Sequence, residues 1–192
     1  MTGRTHDLAA ITALAGVVLV QPVRSLSLST FLLALLANQI GGIAPDIDQP
    51  TAPLWRNLPI GGLFGKVFGK ILGGHRFLTH SLLGVVIFGY LSVVLLHVLH
   101  PLMPHADTGL ITGAFVIGML SHLVMDSFTK EGVPWLLPIP VRFGFPPLKK
   151  LRVTTGKKFE MLVIFPGLIA VNIWIYSTQY HRIISILKHH IQ

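Results

Sequence analysis

The sequence predicts an all-α protein, a polytopic membrane helix bundle of about five spans with one amphipathic helix lying in the interface. Three observations predict it. Only 11% of the 192 residues are charged, against about 25% in soluble domains. Hydrophobic residues make up 52%, and the mean hydropathy is strongly positive. The apolar residues also gather into five segments, 8–23, 26–44, 80–99, 109–128 and 159–178, each near the roughly 20 residues a helix needs to cross a hydrocarbon core. The length suits one integral-membrane domain, 1–192.

The first segment is short and closes at Pro22. It has a weakly charged flank and no small-residue cleavage site after it, so it is expected to remain as a span rather than serve as a cleaved signal. Orientation follows from the basic residues. With the amino terminus cytoplasmic, Arg4, the group Arg56 to Arg76 and the group Lys130 to Lys158 all fall on the cytoplasmic side, while the loop 100–108 has no Lys or Arg. Positive charge is retained on the cytoplasmic side, so the expected topology is N-in and C-out.

Two connections are more than linkers. Within 53–74, Leu63, Phe64, Val67, Phe68, Ile71 and Leu72 recur at helical spacing with Lys66 and Lys70 opposite. This predicts an interfacial amphipathic helix, softened by its glycines. The segment 131–158 carries five prolines and is too long and apolar for a simple loop, so it is expected to fold back over the cytoplasmic face.

No cysteine is present, which excludes disulfides and thiolate metal sites. The net charge of +8 is accounted for by topology, so no nucleic-acid partner is expected. The polar residues that remain cluster in an informative way. His6 precedes the first segment, Asp46 and Asp48 follow the second, His75 and His80 introduce the third, and His122 and Asp126 end the fourth. On the expected topology all seven lie at cytoplasmic helix ends.

Their spacing suits metal coordination. His122 and Asp126, four apart, share one helix face. Asp46 and Asp48 follow Pro45, and an extended or turn conformation there would bring both carboxylates to one side. His75 is expected in a loop and His80 in the first turn of its helix, capped near Leu78 or Thr79. Seven N/O ligands exceed one tetrahedral site, so two divalent ions are expected, zinc first, manganese or magnesium otherwise. The competing account is an ion-pair network built with Arg76 and Arg142. The same two arginines are the candidates for holding a phosphate. Glu160, opening the fifth segment, is a candidate ligand, general base or orienting partner.

Together these motifs carry a resemblance. Pro45-Asp46-Ile47-Asp48-Gln49-Pro50, Gly74-His75-Arg76-Phe77-Leu78-Thr79-His80-Ser81, and His122 to Asp126 followed by Gly132-Val133-Pro134 resemble the YdjM family of bacterial inner-membrane proteins. The resemblance runs from His6 to about Glu160 and implies a metal-dependent hydrolase. Gln49 stands where the family form would have His, so no ligand is expected at 49. A more distant similarity is to zinc-dependent phospholipase C, all-helical, whose His-x-x-x-Asp pair His122 and Asp126 would match.

The expected activity is therefore metal-assisted hydrolysis of a phosphoester in a lipid or lipid-linked substrate at the cytoplasmic membrane face. Asp48, Glu160, Arg76 and Arg142 are the candidate catalytic residues. The alternatives are a metal-ion transporter and a non-catalytic membrane adaptor.

Overall fold

A computed structural model describes residues 1–20, 27–74, 76–139 and 141–188, with the backbone alone at 53–54, 182–183 and 185–188. Seven α-helices are described: α1 Gly3–Val20, α2 Leu28–Ile43, α3 Pro53–Arg56, α4 Gly61–Ile71, α5 Leu82–Leu99, α6 Thr108–Ser127 and α7 Phe165–Lys188. Five candidate spans, at Gly3–Val20, Leu28–Asp48, Leu82–Leu102, Thr108–Ser127 and Glu160–His181, are long and apolar enough to cross a membrane. No strand is formed among the described residues.

Small residues set the closest approach in the bundle. A Cβ at Gly41 would run into the Phe115 carbonyl, and one at Gly118 into the Asn38 carbonyl. The backbones of α2 and α6 therefore touch, as small residues allow in apolar surroundings where dispersion drives helix association. Asn38 is fully buried on this seam, and its side chain donates to the Ala114 carbonyl at 3.0 Å. Val85, Met119, Leu123 and Val133 form the apolar core beside it. Most other large apolar side chains, Leu36, Val86 and Leu91 among them, are exposed, as lipid-facing positions must be.

Helix starts differ from the sequence expectation in two informative places. α1 begins at Gly3, not at 8, because the amides of Thr5 and His6 both donate to the Thr2 carbonyl. His6 is thus a helical residue. α5 begins after Ser81, whose side chain accepts from the Gly84 amide at 3.0 Å. Serine supplies a good cap, and His80 is left outside, in a 3₁₀ turn over Leu78–His80.

α4 forms the expected amphipathic helix, but its glycines have a different role. Its glycines Gly61, Gly65 and Gly69 form the buried face, pressed on Trp55, Pro50 and the Asp48 carbonyl, where a Cβ would not fit. Leu63, Phe64, Val67 and Ile71 point outward. The glycines are a packing surface rather than a source of softness.

The segment 131–158 returns to the ends of α5 and α6. Val133 exchanges backbone hydrogen bonds with Phe143, the Leu82 amide donates to the Trp135 carbonyl, and the Phe145 amide to the Ser127 carbonyl. Trp135 donates its indole N–H to Ser127 at 2.9 Å. The chain then enters α7 through a wide π turn, Glu160–Ile164, just before Pro166, which has no amide hydrogen to continue a regular ladder.

Candidate metal centre

Four helix ends converge on one buried polar cluster. α1 brings His6, α6 brings His122 and Asp126 from its last two turns, a 3₁₀ turn Ala44–Asp48 after α2 brings Asp46, and the turn before α5 brings His80. His6, His80, His122 and Asp126 are each no more than 1% exposed, so their polar atoms must be satisfied from within the cluster.

His122 fixes the chemistry. Its Nδ1 lies 2.7 Å from the carbonyl of Gly42. A carbonyl only accepts, so the proton is on Nδ1 and Nε2 presents a lone pair. Among the described residues that Nε2 has no hydrogen-bond partner, yet it faces Asp46 Oδ1 at 3.7 Å and Asp126 Oδ2 at 3.9 Å. Three acceptors thus face one another across distances too long for hydrogen bonds, but two ligands each ~2.1 Å from one ion lie roughly 3–4 Å apart. His80 Nε2 joins the same set, 3.8 Å from both Asp46 Oδ1 and Asp126 Oδ2. His6 stacks on His122, ring centroids 3.6 Å apart, and turns its Nε2 to Asp126 Oδ1 at 3.3 Å.

Two ligand triads result, His6 with His122 and Asp126, and Asp46 with His80 and His122. Both include His122, whose one available lone pair binds one ion. The residues present fit a cation, and the described ones supply one complete position directly. His75 falls outside the described residues.

Asp46 and Asp48 do not share one side. In a 3₁₀ turn, residues two apart point in different directions. Asp46 faces the Nε2 atoms of His80 and His122. Asp48 stands behind His80: its Oδ2 accepts from the Arg76 amide at 3.0 Å and from the Thr79 hydroxyl, and lies 3.6 Å from His80 Nδ1. Thr79 in turn contacts His80 Nδ1 at 3.0 Å. This carboxylate–hydroxyl–imidazole chain orients His80 from behind. Thr79 and Gly42 were missed in the sequence; Thr79 lay inside a singled-out motif, whereas a backbone carbonyl leaves no sequence signal.

Arg76 is buried and turned inward. Its NH2 pairs with Asp126 Oδ2 at 2.5 Å, its NH1 donates to Thr129 at 2.9 Å, and its Nε lies 3.4 Å from Glu131. Its charge is thus paired with Asp126 and Glu131, while its Nε–H has no hydrogen-bond partner among the described residues. Its φ of 59° is in the left-handed region, a cost of roughly 1–3 kcal/mol for a residue with a side chain. Arg142 is exposed and is not among the residues gathered here. The ion-pair network is thus present around Asp126, with Arg76 and the Met1 amine as its cations, but it leaves His122 Nε2 unanswered.

Glu160 is fully buried and accepts four hydrogen bonds. Thr2 gives two, at 2.6 and 2.8 Å, Thr5 one at 2.7 Å, and the Gly156 amide one at 2.8 Å. It ties the start of α1, and so His6, to the entry of the last span.

A family model described as YdjM inner membrane protein matches residues 1–185. The uncharacterized protein YvsG of Bacillus subtilis is 29% identical over 184 residues, 94% of this chain and 98% of that protein. The inner membrane protein YdjM of Escherichia coli is 34% identical over 128 residues, 64% of this chain and 58% of that protein. The protein of the same name from Shigella flexneri matches to the same extent. No solved structure matches.

Proposed function

The chain belongs to the YdjM family of inner membrane proteins, and on that footing we propose that it is a metal-dependent hydrolase cleaving a phosphoester in a lipid or lipid-linked substrate. One observation carries the reading. His122 is held by Gly42 so that its lone pair meets two carboxylates and, among the described residues, no donor, an arrangement that a cation would complete.

His80, His122 and Asp46 would hold the ion, with Asp126 and His6 adjacent to them; His75 remains a candidate from its place in the sequence. Imidazole with carboxylate suits zinc, and manganese or magnesium are the alternatives. These residues would hold a divalent ion, which would supply a water of lowered pKa, near ~7, and polarisation of a phosphoryl oxygen. Asp48, through Thr79, keeps His80 in one orientation. Glu160 keeps His6 in place by clamping Thr2 and Thr5. Met119 and Leu123, both fully buried, keep water from the inner side, so access is from Asp46, whose side chain is 23% exposed.

The distribution of basic residues favours the cytoplasmic side for this end of the bundle. A transporter would use ligands near the middle of its spans. Here every ligand lies at a helix end, which favours chemistry at the membrane surface.

Protein purified in detergent without chelator is expected to carry near-stoichiometric divalent metal by elemental analysis. His122→Ala should weaken that binding by more than about 100-fold. Chelator should then abolish release of phosphate ester products from phospholipid vesicles. A metal-free wild type sinks the proposal, and metal binding without hydrolysis leaves a carrier.

A further inference from the structure

Beside the cluster lies a cavity of about 610 Å³, bounded by the start of α1, the α2 end with its following turn, α3 and the entry to the last span. Its inner end is formed by buried His6 and partly exposed Asp46, its outer end by exposed Arg4, Arg56 and Met161. Among the described residues neither Arg4 nor Arg56 has an ion-pair partner. They are 52 residues apart in sequence, yet they line one cavity that touches a ligand carboxylate.

We infer that this cavity is the substrate site, and that Arg4 and Arg56 take the phosphate of an amphiphile whose apolar part lies along Met161, Phe165 and Ile43. The inference rests on the hydrolase reading for its catalytic consequence but not for its binding chemistry. Guanidinium groups match phosphate oxygens bidentately. The pair supplies the positive charge that Arg76 cannot, since Arg76 is committed to Asp126. The volume is within the ordinary range of small-molecule sites, about 300–1,000 Å³, and the mixture of apolar wall and few polar groups is usual for them. Asp7 also lines the cavity, half-buried, and its negative charge opposes an anion there. Removing it should tighten binding.

The test measures binding by calorimetry in detergent, on full-length protein with and without zinc. The probes are dihexanoyl phosphatidic acid, inorganic phosphate and dihexanoylglycerol. Wild type should bind the lipid phosphate best and the diacylglycerol least. Arg4→Gln and Arg56→Gln should each weaken lipid-phosphate binding about tenfold with metal content unchanged, and Asp7→Asn should strengthen it. Phe165→Ala should weaken the lipid phosphate while leaving inorganic phosphate as it was. Loss of binding in Arg142→Gln with retention in the other two arginine variants overturns the inference, as does equal binding of diacylglycerol. If metal is absent but the arginine dependence holds, the hydrolase reading fails and the binding site stands. If metal binds and the arginines are without effect, the reverse is true.

Discussion

The two ends of α6 each carry an aspartate, and they put it to opposite uses. Asp107, exposed at the N-terminal end, accepts from the Leu110 amide at 3.0 Å, and its own amide donates to Thr30 at 2.9 Å. That is helix capping. Asp126, one residue from the other end, is 1% exposed and faces three imidazoles, a guanidinium and an amine. The difference is in the partners. At the first end the carboxylate meets a backbone amide of its own helix and the Asp107 amide meets the Thr30 hydroxyl of α2. At the second, Asp126 takes its cations from other elements, and its Oδ2 also faces the Nε2 lone pair of His122 at 3.9 Å. An acid at the end of an apolar helix signals a site only when its surroundings fail to satisfy it locally.

The comparison can be broken most severely at Asp126. Asp126→Ala leaves the buried Arg76 guanidinium with only the exposed Glu131 carboxylate near its Nε, and removal of one partner from a buried pair costs about 3–5 kcal/mol. Unfolding in detergent should register that loss, with metal binding gone as well. Next is Gly118→Ala, which forces α6 away from the Asn38 carbonyl. Overpacking of this kind costs about 1–3 kcal/mol. Because His122 reaches Gly42 across the same seam, metal affinity should fall along with stability; a stable variant with intact affinity would show the seam to be irrelevant to the site. The smallest effect belongs to Asp107→Ala, about 1 kcal/mol for a lost cap, with metal affinity unchanged. If affinity changed there too, the two ends would not be independent.

Much of the fold was legible because a membrane imposes a simple requirement. Backbone polar groups in hydrocarbon must be satisfied within the segment, so apolar runs of span length have to be helices, and the five segments correspond to the five candidate spans. Boundaries were less legible. Thr2 and Gly3 are not apolar, so the extra turn that makes His6 helical has no hydropathy signal. Within the cluster, the grouping of His6, Asp46, His80, His122 and Asp126 could be read from their common placement at helix ends. Division of labour could not. Asp46 and Asp48 look equivalent in sequence, and only the 3₁₀ turn sends one to the Nε2 side of His80 and the other behind it. Likewise Arg76 looked available for phosphate until its charge was found paired with Asp126 and Glu131.

By itself, then, the sequence determined the number of candidate spans and the placement of His6, Asp46, His80, His122 and Asp126 at helix ends, since both follow from composition and spacing along the chain. The tertiary structure alone decided which nitrogen of His122 carries a proton, which aspartate faces the centre and which arginines remain available. Those depend on residues far apart in sequence, such as Gly42 and His122, which meet at 2.7 Å, or Arg4 and Arg56, which line one cavity, and only the packing of the helices brings them together.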